Sequence, residues 1–272
     1  MKAELISVNR QISVKQVRKM IIELSYRTHI GHIGSALSIV DILVALYSYV
    51  IRMDEPLSAE RDRFILSNGH AALALYVVLN QLGIITEEKL NSFCTDGSYL
   101  GVHPDTAIKG IDFTSGSLGQ GLSFGVGAAL AAHLQKSSRR LFVLLSDAEC
   151  NEGSVWEAVM FAAHHHLSNL VAIIDLNGQQ AMGYTQNVLN LYPMAEKWKA
   201  FNWEVHNVDG NSIEQLSQVL NSLDTNKDQP HVLIAKTIFG KGVSFMEKEI
   251  KWHYMPLSTE EYQQSLAELD QF

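Results

Sequence analysis

The chain has 272 residues, of which 47% are hydrophobic and 18% charged, a composition typical of a globular protein with a sizeable core. Its formal net charge of −8 argues against a nucleic-acid partner, and an anionic ligand would need local help from a metal ion, histidines or helix N-termini. Two cysteines without metal-type spacing, no signal-peptide core in residues 1–10 and no apolar run long enough to cross a bilayer predict a cytoplasmic protein without a membrane partner.

Hydrophobic periodicity predicts mainly helices in the first half of the chain. Apolar residues recur at helical spacing, and polar breaks that contain glycine and histidine separate these segments. The predicted elements are, in order, a helix over 12–28, a helix over roughly 37–50, a strand over 63–67, a helix from Ala71 onward and a helix that begins at Thr86 with the acidic first turn favoured there.

The second half alternates predicted helices and apolar strands. An alanine-rich segment over 122–133 predicts a tightly packed helix. The elements that follow are strands over 141–146 and 170–175 with a helix over about 154–167 between them, and strands over 204–208 and 231–236 with a helix over 211–223, capped by Asn211 or Ser212, between them. This alternation predicts an α/β fold with a doubly wound, mostly parallel sheet flanked by helices, and no linker divides residues 1–272 into further domains.

Two oxygen-bearing side chains follow neighbouring predicted strands. Asp147 directly follows the strand predicted over 141–146, and Asn177 follows the strand predicted over 170–175. The two residues are about thirty positions apart, an interval that suits one strand–helix–strand unit. Both would lie at the carboxyl edge of a parallel sheet, where such sheets bind ligands. Carboxylate and amide oxygens suit Mg²⁺ or Ca²⁺, so the pair predicts a metal-bridged phosphate site. Asp175 is an alternative to Asn177, and the plainer interpretation is a capping aspartate and a turn asparagine.

A glycine-rich segment, Gly116-Ser-Leu-Gly-Gln-Gly121, precedes the alanine-rich helix. It lacks the lysine of a Walker phosphate-binding loop and the glycine order of a dinucleotide-binding loop, which disfavours a nicotinamide site. Its backbone amides could approach a bound cofactor at the start of the helix. The alternative is a loop whose glycines only allow close packing of the helix.

Four histidines fall at predicted ends of elements, namely His32, His70, His103 and His253. Imidazole can donate to phosphate oxygens and transfer protons near neutral pH, so this set favours a site, although a single loop histidine is usually a surface residue. The consecutive histidines 164–166 end a predicted helix and are interpreted as structural. Glu152 precedes the same helix, and it either caps the helix or takes part in chemistry.

Taken together, these motifs resemble the thiamine-diphosphate-binding domain of transketolase over nearly the whole chain and in the same order. The family's metal motif runs from Gly-Asp-Gly through Glu-Gly to an asparagine about thirty residues on, and it corresponds here to Ser146-Asp147-Ala148, Glu152-Gly153 and Asn177. The other similar segments are Gly31-His32-Ile33-Gly34, Ser67-Asn68-Gly69-His70, Gly101-Val102-His103-Pro104, Gly116–Gly121, Lys236–Gly242 and Trp252-His253. Ser146 and Ala148 replace glycines of the family, and Ile33 replaces a proline.

The resemblance implies roles for the residues of these motifs. Mg²⁺ (or Ca²⁺) would be bound by Asp147, Asn177 and the backbone carbonyl of Gln179, and it would hold the diphosphate of thiamine diphosphate. The other implied cofactor contacts are His70, Gly116, Leu118, Ala148, Glu149 and His253. His32 and His103 would line the substrate channel, and Glu152 would join a carboxylate network across a subunit interface. These three and His253 are the implied catalytic residues.

The resemblance also implies a partner. In full-length transketolases a second, pyrimidine-binding domain supplies the glutamate that activates the cofactor, and this sequence resembles the N-terminal half alone. We therefore expect a separate C-terminal-half subunit, an α2β2 heterotetramer, and transfer of a two-carbon ketol unit from a ketose to an aldose. The alternatives are an α-type subunit of a 2-oxo-acid decarboxylating enzyme and a non-catalytic cofactor-binding partner, the latter suggested by Ser146 and Ala148.

Overall fold

A five-stranded parallel sheet forms the centre of the computed structural model, which describes residues 12–53, 58–225 and 227–271. The strands are Arg63–Leu66 (β1), Leu141–Ser146 (β2), Leu170–Leu176 (β3), Gln179–Gln180 (β4), Gly183–Tyr184 (β5), Glu204–Asp209 (β6) and His231–Lys236 (β7). Strands β4 and β5 form a separate small antiparallel hairpin. The order across the large sheet is β1-β2-β3-β7-β6, and every neighbouring pair is parallel. The predicted α/β fold is confirmed.

Helices cover both faces of this sheet. They are Val14–Thr28 (α1), Ile33–Ser38 (α2), Val40–Ala45 (α3), Ala72–Gln81 (α4), Glu87–Asn91 (α5), Gln120–Leu134 (α6), Gly153–His164 (α7), Thr185–Val188 (α8), Met194–Ala200 (α9), Ile213–Ser222 (α10), Lys251–Tyr254 (α11) and Thr259–Gln271 (α12). A π-helical turn at Leu46–Val50 continues α3. Within the described ranges, no helix is long and apolar enough to span a membrane.

Alternate side chains of the central strands enter two separate cores. In β2, Phe142 and Leu144 pack with α1 to α4 on one face, whereas Val143 and Leu145 pack with α6, α7 and α9 on the other. A strand that is buried on both faces needs a continuous apolar sequence rather than an alternating one. This explains why β2 is apolar up to Leu145 and β3 up to Ile174.

The carboxyl ends of β2 and β3 meet at one edge of the sheet. Ser146 pairs with Asp175 in the parallel register, and the Asp147 N–H donates to the Asp175 carbonyl oxygen at 3.1 Å. Asp147 and Asn177 therefore leave the sheet on neighbouring strands. The prediction that one strand–helix–strand unit brings both residues to the same edge is confirmed.

The largest departures from prediction lie in the helices. The helix expected over 37–50 begins at Ile33 and is interrupted at Ile39, after which a buried ion pair between Asp41 and Arg18 (2.7 Å) holds the next turn. Local periodicity cannot reveal that long-range contact.

Hairpin β4–β5 and helices α8, α9, α11 and α12 have no counterpart among the predicted elements. The interpretation of residues 1–10 lies outside the described residues.

Candidate active site

The sheet edge at which β2 and β3 end borders a cavity of about 490 Å³. Most of the candidate site residues line it, namely His32, His70, His103, Gly116, Leu118, Ala148, Glu152, Asn177, Gln179 and His253. The other two, Asp147 and Glu149, are fully buried and form hydrogen bonds with residues next to the cavity. The fold thus gathers residues from seven separate sequence segments around one space.

Asp147 directly follows β2, and its carboxylate accepts three hydrogen bonds. Oδ1 accepts from the Ala148 N–H at 2.9 Å, and Oδ2 accepts from the Gly178 N–H at 3.1 Å and the Thr185 hydroxyl at 3.0 Å. Burial, and secondarily repulsion from Asp175, raise the pKa of Asp147 to about 7. The side chain is therefore fixed in place, and its ionised form is poorly compensated within this chain.

Asn177 lies in the turn after β3, at the wall of the cavity. Its carboxamide oxygen accepts from the Gln179 N–H at 2.9 Å, and its NH₂ group donates to Asp175 at 2.8 Å. Asp175 also accepts from the Ser38 hydroxyl (2.7 Å) and the Thr237 hydroxyl. Burial raises the pKa of Asp175 to about 6. Asp175 is thus surrounded by donors, whereas the carboxamide oxygen of Asn177 points into the turn that follows β3.

The two neighbouring aspartates suit a bound cation. Among residues 12–53, 58–225 and 227–271, no lysine or arginine forms an ion pair with Asp147 or Asp175. A carboxylate has about four lone-pair sites, and the three hydrogen bonds to Asp147 leave one for a metal ion. Oxygen donors next to uncompensated negative charge are the ligands that Mg²⁺ takes. These residues therefore fit the divalent cation that the sequence predicts.

Three histidines from distant parts of the chain form one cluster in the cavity. The ring centroids of His32, His70 and His253 lie 5.0–5.6 Å apart. The backbone N–H of His32 donates to the backbone carbonyl oxygen of His253 at 3.1 Å. Burial and the neighbouring imidazoles lower the pKa of His70 to about 3 and that of His253 to about 4. The cluster is therefore uncharged near neutral pH, and each ring offers one N–H donor and one acceptor.

The fourth histidine, His103, is exposed and also lines the cavity. Tyr76 fixes its backbone by donating from its hydroxyl to the His103 carbonyl oxygen at 2.9 Å. The ring packs over Gly116, since a Cβ added there would lie 3.4 Å from the ring. All four loop histidines therefore line the same cavity.

Glu149 ties the glycine-rich loop to the end of β2. Its carboxylate accepts from the Gly119 N–H at 2.7 Å, from the Ser146 N–H at 3.3 Å and from the Ser67 hydroxyl. The same Ser67 hydroxyl accepts from the Gly121 N–H at 3.1 Å. Glu149 therefore holds the loop in position from behind, while the loop presents Gly116 and Leu118 to the cavity.

Residues 9–270 match the family described as the thiamine diphosphate binding domain of transketolase. The chain belongs to this family. It is 40% identical over 263 residues to an apulose-4-phosphate transketolase subunit of Phocaeicola vulgatus, a match that covers 96% of this chain and 94% of that protein. It is 36% identical over 266 residues to a 6-deoxy-6-sulfo-D-fructose transketolase subunit of a Clostridium species, with 97% of each chain covered.

Solved transketolases share the fold. The structure from Campylobacter jejuni superposes with a TM-score of 0.86 at 26% identity, and that from Leishmania mexicana with 0.85 at 27%. These matches cover 99% and 96% of this chain, but 43% and 42% of the solved chains. The chain thus corresponds to less than half of those transketolases and to nearly all of the two subunit relatives.

The three departures from the transketolase motif preserve the local backbone. Ser146 and Ala148 are absent from the described residues that have a positive φ, so neither position requires glycine. The Ser146 hydroxyl accepts from the Glu149 N–H at 3.2 Å. Ile33 is buried and is the first residue of α2, the helix position at which proline is also favoured. No backbone feature of these described positions therefore supports the interpretation of a lapsed site.

Glu152 is exposed, and its carboxylate is available to the cavity. It occupies the N-cap position of α7, but its side chain makes no capping hydrogen bond. Glu152 therefore holds the N-cap position that the plainer interpretation gives it, but without a side-chain capping hydrogen bond. A carboxylate at the surface of this chain can meet a group on another subunit.

Asn68 is a cavity residue that the sequence analysis did not single out. It is 1% exposed, and neither Oδ1 nor Nδ2 has a hydrogen-bond partner among the described residues. A buried carboxamide without partners is costly, so these atoms indicate a ligand contact. The available signal was its place in the Ser67–His70 motif.

Replacing Gly31 by alanine is expected to lower the free energy of unfolding by about 2–3 kcal/mol. A Cβ at this position would lie 2.5 Å from the Tyr254 carbonyl oxygen, so α11, which carries His253, would have to move. Gly127 in α6 is the matched control, because an added Cβ meets nothing within 4 Å and G127A should gain about 0.5–1 kcal/mol of helix stability. Urea denaturation of the isolated chain measures both, and a G31A variant as stable as G127A would contradict the expectation.

Proposed function

We propose that this chain is the cofactor-binding, N-terminal-type subunit of a thiamine-diphosphate-dependent transketolase, which transfers a two-carbon ketol unit from a ketose donor to an aldehyde acceptor. The observation that carries the proposal is one cavity that combines the turn of Asp147 and Asn177 with three clustered histidines. The matches to two transketolase subunits over nearly their whole length support it.

The metal ion would be Mg²⁺, with Ca²⁺ as the alternative. Asp147, Asn177 and the backbone carbonyl of Gln179 would bind it, since all three belong to the two linked turns after β2 and β3. Asp175 would orient the Asn177 carboxamide through the hydrogen bond that already joins them rather than bind the ion. This choice between Asp175 and Asn177 rests on the three donors that already surround the Asp175 carboxylate.

The diphosphate would be held by uncharged donors. His70 and His253 are partly buried and neutral, so each can donate one N–H to a phosphate oxygen without carrying a charge. Gly116 and Ala148 border the same cavity, and Glu149 holds the glycine loop in place behind it. A net charge of −8 makes such local donors, together with the metal ion, necessary for an anionic cofactor.

Thiamine diphosphate, when bound, supplies the electron sink for cleavage of a carbon–carbon bond. Leu118, with 38% of its surface exposed, offers an apolar contact for the cofactor rings. His32 and His103 both line the cavity and would bind substrate hydroxyls and hold or release a proton at a ring nitrogen. The buried Nδ1 atoms of His32 and His253 have no partner among the described residues, which leaves both available to a ligand.

A second subunit would complete the active site. Several large apolar side chains are exposed beside the cavity or on α6 and α7, namely Phe124, Met160, Phe161, Met182 and Leu189. Exposed apolar surface of this kind is typical of subunit interfaces. We infer a C-terminal-half partner with a pyrimidine-binding domain, an α2β2 heterotetramer, a carboxylate network that includes Glu152, and a cytoplasmic location in keeping with the free cysteines.

Reconstitution tests the function directly. The isolated chain is expected to show no ketol transfer from xylulose 5-phosphate to an aldose, and addition of its C-terminal-half transketolase subunit should produce that activity. Full activity of the isolated chain would refute the split architecture. Release of carbon dioxide from pyruvate, without ketol transfer, would instead favour the 2-oxo-acid decarboxylating alternative.

The donor is proposed to be a ketose that carries an anionic group. One relative is named for apulose 4-phosphate and the other for a sulfosugar, and both names describe anionic sugars. Parallel assays of the reconstituted complex with a phosphorylated, a sulfonated and a neutral ketose test this. A preference for the neutral ketose would contradict the proposal without affecting the cofactor assignment.

A further inference from the structure

A second group of metal-ligating side chains lies at the opposite edge of the sheet. Glu204 and His231 pair at the amino ends of β6 and β7, whereas the cavity lies at the carboxyl ends of β2 and β3. His206 lies two residues after Glu204 and therefore points to the same face. One ligand atom from each of these three residues lies within 4.8 Å of those of the other two.

In the described part of the chain, buried ring nitrogens of the two histidines in this group lack hydrogen-bond partners. His231 is fully buried, and the Asp224 main chain bonds with its ring, which accounts for at most one of the two ring nitrogens. The Nε2 atom of His206 is also buried without a partner among the described residues. The Nδ1 atom of His231 lies 3.5 Å from the Glu204 carboxylate. Leaving such nitrogens unpaired inside a protein is costly unless a ligand satisfies them.

We propose that Glu204, His206 and His231 bind a divalent transition-metal ion, Zn²⁺ being the best match, with water in the fourth position. Two histidines and one carboxylate are an established protein ligand set for zinc, whereas Mg²⁺ and Ca²⁺ prefer oxygen ligands alone. Bonds of about 2.0–2.2 Å require the ligand atoms to approach to roughly 3.4 Å, a movement of little more than 1 Å from their present separation. The ion would bridge the edge strand β6 and its neighbour β7, at the sheet edge opposite the cavity that borders β2 and β3.

Lys227 competes for the same carboxylate. Its ammonium group lies 3.2 and 3.4 Å from the two oxygens of Glu204. The lysine side chain is 52% exposed and the Glu204 side chain 28%, so the lysine can move into solvent when the metal ion arrives. This pairing predicts that removal of the lysine charge strengthens metal binding, an effect opposite to that of removing a ligand.

Zinc titration of the purified chain against a chromogenic chelator tests the site in solution. E204Q and H206N should weaken binding at one site at least tenfold, K227Q should tighten it, and H165N, in the surface histidine run, should leave it unchanged. Zn²⁺ should also raise the melting temperature of the wild type but not that of H206N. Both ligand positions are partly exposed, so these variants are expected to fold.

Anomalous scattering at the zinc edge locates the ion in crystals of the chain soaked with zinc chloride. The expected result is a peak about 2.0–2.2 Å from both imidazoles and one Glu204 oxygen. The proposal is overturned if no peak occurs there, or if wild type and H206N bind the same number of zinc ions with the same affinity. Neither outcome depends on transketolase activity.

Discussion

Asp147→Asn is expected to weaken the Mg²⁺-dependent binding of thiamine diphosphate to the reconstituted enzyme by about 100-fold or more, and to abolish most ketol transfer. Loss of groups that merely orient a metal ligand costs 10–100-fold in affinity, so loss of the charged ligand itself should cost at least as much. The amide keeps the shape of the buried side chain and removes a charge that no lysine or arginine balances among the described residues. The NH₂ group of the amide would face either the Ala148 N–H or the Gly178 N–H and leave that buried donor without an acceptor, so the melting temperature of the unliganded chain should fall moderately. Calorimetry with and without Mg²⁺ measures the binding.

Asp209→Asn is the matched control for this experiment. Asp209 ends β6 at the same edge of the sheet, but its side chain is exposed and accepts a hydrogen bond from the Asn211 N–H at 2.9 Å. Cofactor affinity should remain within about twofold of the wild type. If D147N and D209N behaved alike, the carboxylate at position 147 would not be a metal ligand and the proposed binding scheme would fail.

Glu149→Ala is expected to produce the largest loss of stability, about 3–5 kcal/mol in the free energy of unfolding. The substitution leaves three buried donors without an acceptor: the N–H groups of Gly119 and Ser146 and the hydroxyl of Ser67. The glycine-rich loop would lose its anchor behind the cavity, so cofactor affinity should fall as well. Urea denaturation of the isolated chain gives the first effect, and calorimetry on the reconstituted enzyme gives the second.

Glu152→Ala, three positions later, separates this effect from a general effect of removing a glutamate. Glu152 is exposed and makes no capping hydrogen bond, so its removal should change the stability of the isolated chain by less than about 0.5 kcal/mol. An E149A chain as stable as the wild type would show that the buried carboxylate is not needed to hold the loop. If E149A fails to fold while E152A folds, its stability has changed in the expected direction.

Local sequence predicted the central strands to within two residues. The runs 141–146 and 170–175 are apolar because helices cover both faces of the sheet, and this composition is visible without any tertiary information. Their ends then locate Asp147 and Asn177, because parallel neighbouring strands must end at the same edge. The helix expected over 37–50 is present, but it begins earlier, at Ile33, is interrupted at Ile39 and ends in a π-helical turn, details that periodicity does not give.

The roles of individual polar side chains depended on tertiary contacts. Glu149 and Glu152 are equally plausible in sequence, yet one is fully buried among three donors and the other is exposed without a cap. Asn68 has no distinguishing local pattern, and only its burial without partners marks it. His206 and His231 are brought together because β7 inserts between β3 and β6, an order that the sequence does not state.

By itself the sequence determined the alternation of strands and helices, the sheet edge at which the aspartate and asparagine emerge, and the family to which the motifs belong. The tertiary structure decided which polar groups face the cavity, which ones support it from behind, and which histidines meet at the opposite edge. The physical reason is that hydrophobic periodicity and turn chemistry are local, whereas burial and hydrogen-bond partners depend on segments far apart in the chain.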